Sequence, residues 1–234
     1  MLAFKSTFLF AIFLSHALCF TFRPAAIQKI LDDHNNLRSL IARNNYHAKT
    51  GPEGPAMNMQ MIMWDDRIAQ NAQRHANTLT NRPDHSPLSH SVGLAENICP
   101  ISSPAYLSDV NMINSLDNCI KMWVNELQTI GVIRYADGSV YWQIPNGHAM
   151  NMMKATTNRI GCGLSPVYSG MSFMVCQYKT HGVQGLGHGY LRGATCMQCP
   201  PGTHCEMNTG LCECDVPGQG ICAPDLTSIY WQGP

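Results

Sequence analysis

Two His-Ser dipeptides, His85-Ser86 and His90-Ser91, share one polar loop over Asn81–Ser91 and are the first residues whose types suggest chemistry. A serine nucleophile needs a base in contact with its hydroxyl and donors for the oxyanion. Adjacency in sequence supplies neither. The chain also lacks the His-Glu-x-x-His helix of common metalloproteases. Protease activity is therefore not expected, and the chain reads as a non-enzyme.

The cysteines carry a firmer signal. Arg159-Ile160-Gly161-Cys162-Gly163-Leu164 and Met171–Tyr178 read as two strands joined by the turn-rich Ser165-Pro166-Val167-Tyr168-Ser169-Gly170. In a simple hairpin about Ser169, Cys162 and Cys176 face each other. Directly opposite residues have Cβ atoms roughly 4.5–5.5 Å apart, so a disulfide is expected there. Six further cysteines crowd into Cys196–Cys222. By elimination, Cys99 pairs with Cys119.

The N-terminus sets the compartment. Lys5 precedes the apolar run Phe8–Leu14, and Ala17 and Cys19 are small residues suited to cleavage. This is the layout of a secretory signal peptide over residues 1–19, and the run is too short to span a membrane. Cleavage after Cys19 removes one of eleven cysteines and leaves ten, whereas cleavage after Ala17 leaves an odd thiol. The even set reads as an extracellular disulfide framework, and secretion argues against a zinc knuckle in the tail. With 15 basic and 15 acidic residues and no long basic run, nucleic-acid binding has no electrostatic support.

Three helices and an extended segment must position these residues. Ile27, Ile30, Leu31, His34, Leu37 and Ile41 form one stripe on a helix from about Pro24. The polar members of His34-Asn35-Asn36-Leu37-Arg38 read, by themselves, as a solvated face. Ala56–Trp64 alternates as a half-buried extended segment, and a second helix follows from about Asp65 with Ile68, Ala69, Ala72, Ala76 and Leu79 inside. A third covers roughly Ser108–Thr129. Asn146 reads as the N-cap of a short fourth helix that begins at Gly147 and ends near Thr157. Gly182–Gly193 opens a Gly-rich linker, 182–195, ahead of a Cys-rich tail, 196–234, too small to bury a core without disulfides.

Several of these stretches resemble, in order, the signatures of the CAP superfamily: cysteine-rich secretory proteins, antigen 5 and pathogenesis-related 1 proteins. Gly147–Gly163 resembles the family's GH-[FY]-TQ…IGCG signature, and Val175-Cys176-Gln177-Tyr178 its second one. Met150, Asn151 and Lys154 stand where Thr, Gln and Trp are usual. His34–Arg38 resembles HNxxR, Gly93–Ile98 resembles G-E-N-[IL], and Trp123-Val124-Asn125-Glu126 resembles W-x-x-E. Cys196–Cys222 resembles the hinge modules attached to many members, and an EGF-like reading matches less well. The resemblance covers about Pro24–His181 and implies an α+β fold, a three-layer α/β/α CAP sandwich over residues 20–181 with a small antiparallel sheet.

The resemblance also implies a cleft that gathers His85, Glu96, Glu126 and His148. His85 is preferred over His90 because His85-Ser86-Pro87 looks like the family's HSP. Two imidazoles can ligate a divalent cation, Zn or Mg, while two carboxylates hold the imidazoles or water. CAP relatives include sterol and fatty-acid binders. A sterol site is expected on the aromatic loop Tyr135–Asn146, with Tyr135, Tyr141 and Trp142. An acyl groove is expected against the Met-rich fourth helix, with Met150 and Met153. The expected protein is a secreted monomer or weak dimer that carries a sterol or fatty acid. The alternative is a secreted effector that docks on a host or cell-surface protein.

Overall fold

The computed structural model describes residues 20–87, 93–102, 109–134, 140–141, 146–180 and 189–223. The expected signal peptide, His90, Tyr135, Trp142 and residues 182–188 and 224–234 lie outside them, as does the side chain of Tyr141.

Helix α1 (Pro24–Ala42) starts on Pro24, where a missing N–H costs nothing. Its apolar stripe is buried as expected, with Ile30, Leu37 and Ile41 at 4% exposure or less. The polar residues of that stretch depart from the expected solvated face, since His34 and Arg38 are both 0% exposed. Among the described residues, Arg38 meets no carboxylate. Its guanidinium donates to the carbonyls of Gln60, Met152, Lys154, Ala155 and Thr157, at 2.6–3.2 Å. It thereby satisfies backbone acceptors that a helix end and a strand start would otherwise leave unpaired.

After the hairpin β1 (Tyr46–Ala48) and β2 (Gly51–Glu53), an extended run leads to β3 (Met63–Trp64). Asp65 then caps α2 (Asp66–Ala76) by accepting from the Arg67 and Ile68 amides. Strand β4 (Leu94–Ile101) is followed by α3 (Asp109–Thr129), the short pair β5 (Ile133–Arg134) and β6 (Val140–Tyr141), α4 (Gly147–Met153), β7 (Thr157–Leu164) and β8 (Ser172–Thr180). The main sheet has the order β3-β7-β8-β4. Its β7–β8 and β8–β4 pairs are antiparallel, and β3 adds a parallel edge. Helix α2 packs on one face, and α1, α3 and α4 pack on the other. The fold is thus α+β in three layers, as the sequence implies.

Both faces of β7 are buried along its whole length, and the alternating glycines explain how. A Cβ on Gly161 would lie 2.0 Å from the Ala69 amide nitrogen, and one on Gly163 would lie 2.4 Å from the Gln73 Cα. Only hydrogen at these two positions lets α2 lie against the strand. Between them, Cys162 pairs in register with Cys176 and forms a disulfide. Cys99 and Cys119 form a second, joining β4 to α3.

Two boundaries differ from the sequence reading. Helix α4 stops at Met153, and β7 begins already at Thr157. Asn146 makes no capping bond, its amide donating instead to the Gly131 carbonyl.

The C-terminal module is a hairpin, β9 (Thr203–Glu206) with β10 (Leu211–Cys214), closed by Cys196–Cys205, Cys199–Cys212 and Cys214–Cys222. It leans on the body. The Met57 amide donates to the Leu191 carbonyl, and the Cys212 amide to the Met59 carbonyl. The Met61 amide donates to the Cys212 carbonyl, so the extended run before β3 serves as a docking strand. Residues 189–195, expected as the end of a linker, take part in this docking. Tyr190 is 2% exposed and shares the buried Glu53 carboxylate with Arg134. Among the described residues, no helix is long and apolar enough to cross a membrane.

Candidate functional site

Each of the two predicted glutamates holds one predicted histidine, in the same way. Glu96 projects from β4 with its Oε1 3.0 Å from His85 Nδ1 and accepts the Ser86 amide at 2.9 Å. Glu126 projects from α3 with its Oε1 2.5 Å from His148 Nδ1 and accepts the Ala149 amide at 2.9 Å on Oε2. In both pairs a carboxylate takes the Nδ1 proton and a neighbouring backbone N–H. The tautomer is thereby fixed, and Nε2 is the nitrogen with a free lone pair.

The surroundings explain why these residue types recur at these spacings. Trp123 precedes Glu126 by three residues, so both lie on one face of α3. The buried Trp123 ring stacks on the His148 imidazole at 6.0 Å and 12°. Glu126 also does what Asn146 was expected to do, because its carboxylate satisfies an orphan amide in the first turn of α4. Asn97, next to Glu96 and on the opposite face of β4, donates to the His148 carbonyl and to the Tyr178 hydroxyl. The Tyr178 hydroxyl lies 3.0 Å from His34 Nε2, and His34 Nδ1 lies 2.7 Å from the Ile30 carbonyl. A buried polar chain from α1 through β8 and β4 thus fixes the backbone of His148.

Glu96 has its own support. Its Oε2 accepts from Gln177 Nε2 at 2.7 Å, and the Gln177 side-chain Oε1 accepts from Asn71 at 2.7 Å. Burial raises the Glu96 carboxyl, but the bonds from His85, Gln177 and Ser86 outweigh it and hold the group below the usual carboxylate range. The bond to Glu96 lifts His85 above the ordinary histidine range, against a smaller opposing effect of burial. Sequence reasoning missed Gln177, Asn71 and His75. The His75 Nε2 lies 2.8 Å from the Asp84 carbonyl and 3.9 Å from Glu96 Oε1, which anchors the loop carrying His85. Polar residues inside the VCQY strand and at the edge of the α2 stripe were the available signal.

Among the described residues the four predicted ligands do not close into one set. The one grouping of three ligand atoms within 4.8 Å is Cys196, Cys199 and Cys212, whose sulfurs are committed to disulfides. Each pair has the form of a carboxylate–histidine unit, in which the glutamate orients the imidazole and Nε2 is the nitrogen able to act as a ligand.

The predicted lipid residues divide. Met150 and Met153 lie in the core at 5% and 0% exposure. A groove with a cavity of about 420 Å³ runs instead between α1 and α3. Leu37, Leu40, Ile120 and Val124 supply its apolar lining, and Lys121 and Tyr46 are among the polar residues at its rim.

Comparison with known proteins agrees with this architecture. The sequence profile of the CAP, Cysteine-rich secretory protein, family matches residues 31–178. The Ancylostoma secreted protein of Ancylostoma caninum is 31% identical over 189 residues, which is 78% of this chain and 43% of that protein. The chain thus spans less than half of that relative. Venom allergen 5.02 of Vespa crabro is 31% identical over 162 residues, 67% of this chain and 75% of the allergen. Among solved structures, Na-ASP-1 superposes with a TM-score of 0.69 at 27% identity, over 84% of this chain and 49% of that one. NaASP2, solved with Zn2+, does so with a TM-score of 0.67 at 27% identity, over 81% and 96%. With the ordered signatures, the three-layer fold and these likenesses in agreement, the chain belongs to the CAP family of cysteine-rich secretory proteins and is venom allergen-like.

Proposed function

We propose that this CAP protein is a secreted, non-enzymatic lipid carrier whose cleft binds a divalent cation. The cation reading is carried by the paired Nδ1 bonds. Two imidazoles are each locked by a carboxylate in the tautomer that leaves Nε2 free, a costly arrangement if nothing uses the nitrogen. Zinc suits imidazole better than magnesium does, and NaASP2 was solved with Zn2+. The lipid reading is supported by the α1–α3 groove, where Leu37, Leu40, Ile120 and Val124 offer apolar surface beside polar residues that could meet a lipid head. The sterol site expected on Tyr135, Tyr141 and Trp142 remains part of the proposal. Protease action is not, because Ser86 is buried at 4% exposure, out of reach of a substrate carbonyl.

Calorimetry with zinc tests the cleft. His148→Ala and His85→Ala are each expected to weaken binding at least tenfold, and wild-type affinity in His148→Ala would place the ion elsewhere. Mass spectrometry of lipid extracted from the purified protein tests the carrier reading. Val124→Trp should block fatty acid while Tyr141→Ala/Trp142→Ala should lower sterol binding. A wild-type protein that takes up neither lipid would turn the assignment to docking on a cell-surface protein.

A further inference from the structure

We infer a second divalent-cation site, on the outer face of the C-terminal hairpin, made by His204 and Glu213 with Asp215 behind the imidazole. It does not depend on the cleft. β9 and β10 pair so that His204 stands directly opposite Glu213, and Asp215, just past the end of β10, reaches the same imidazole. The His204 Nδ1 lies 2.8 Å from Asp215 Oδ1. The carboxylate therefore takes the Nδ1 proton, and the lone pair is on Nε2. That nitrogen lies 3.8 Å from Glu213 Oε2, too far for a hydrogen bond.

The spacing suits a shared ion. Two ligands of a tetrahedral ion with bonds of about 2.0–2.2 Å stand roughly 3.4 Å apart, so a small rotation of the Glu213 side chain completes the approach. The orienting carboxylate on the other ring nitrogen is the same device found at His85 and His148. The platform is stiff, because Cys205, Cys212 and Cys214 on these two strands are all disulfide-bonded. The backbone positions of His204 and Glu213 are thus set before any ion arrives. An imidazole with a carboxylate selects zinc or copper(II) over magnesium or calcium. With the three side chains 43–55% exposed, water completes the shell, and the ion exchanges readily.

The test uses zinc chloride and the full, oxidised chain carrying His85→Ala and His148→Ala, which removes both cleft imidazoles. Calorimetry is expected to show one zinc per chain on this background. Adding His204→Ala should abolish it, and adding Asp215→Asn should weaken it about tenfold with the stoichiometry kept. Failure of the cleft reading looks different, since wild type and the double variant would then bind zinc alike. The hairpin site is overturned if the double variant binds no zinc, or if His204→Ala leaves binding unchanged. Should the double variant not fold, the ring resonances of His204 in the wild-type protein decide. Zinc should shift or broaden them, and unmoved resonances would reject the site.

Discussion

At the scale of the residue, buried polar groups decide how this protein answers to pH. Burial pushes His34 down to about 4, helped by the Arg38 charge and opposed by its bond to the Ile30 carbonyl. A histidine depressed in the folded state stabilises fully above its unfolded value, and that stability is lost as pH falls toward the folded one. The chain should therefore lose on the order of 3 kcal/mol between pH about 6.5 and 4 from this one group. Urea unfolding across that range checks it, and His34→Gln should flatten the slope. His85 behaves oppositely. Raised by Glu96, its contribution is complete below the unfolded value and disappears as pH rises through the folded one. Replacing Glu96 by Gln should lower the His85 titration midpoint, measured from its ring proton shifts. An unmoved midpoint would mean the pair is not formed in solution.

At the scale of the element, the contact between α2 and β7 tolerates the least change. Gly161→Ala places a methyl group 2.0 Å from the Ala69 amide nitrogen, and backbone cannot swing aside as a long side chain can. A loss of roughly 1–3 kcal/mol or more is expected, read as a lower denaturant midpoint with the slope of the transition unchanged. Arg38 plays the corresponding part for α1. Its carbonyl bonds hold the end of α4 and the entry to β7, so Arg38→Met should cost about 3 kcal/mol or more by leaving buried acceptors unpaired. Zinc affinity should fall with it, because the helix carrying His148 loses its anchor. An Arg38→Met protein as stable as wild type would show that the carbonyls find other donors.

At the scale of the whole molecule, the C-terminal module is a packed part of the fold. Backbone bonds from residues 57–61 to Leu191 and Cys212, with Ser39 Oγ donating to the Thr209 carbonyl, join it to the extended run and to α1. Body and tail should therefore unfold in one calorimetric transition. Removing the Cys199–Cys212 bridge by a double Ser substitution should lower stability by about 2–4 kcal/mol. Two separate transitions in the wild-type protein would show that the docking is too weak to couple them. The proposed hairpin cation site faces away from this contact, so zinc should raise the midpoint only through ligand linkage.

The sequence by itself determined the four main helices, their apolar stripes and the register of the β7–β8 hairpin, but not the short pairs β1–β2, β5–β6 and β9–β10. What it determined rests on periodicities of three to four and of two residues, which are local properties of the backbone. The Cys162–Cys176 pairing follows from that register, and Cys99–Cys119 from counting the rest. Burial of polar groups was not legible in the same way. His34 and Arg38 look alike in sequence whether a helix shows them to water or to the distant Tyr178 hydroxyl and the carbonyls of 152–157. The capping of α4 by Glu126 instead of Asn146 is another such case, since two segments compete for one amide and only the packing of α3 on α4 settles which wins. The same holds for the tail, whose glycine-rich approach reads as a linker until the exposed edge of residues 56–61 is there to receive it. What the tertiary structure alone decided is which polar groups meet, because that depends on distances across the fold that no local spacing encodes.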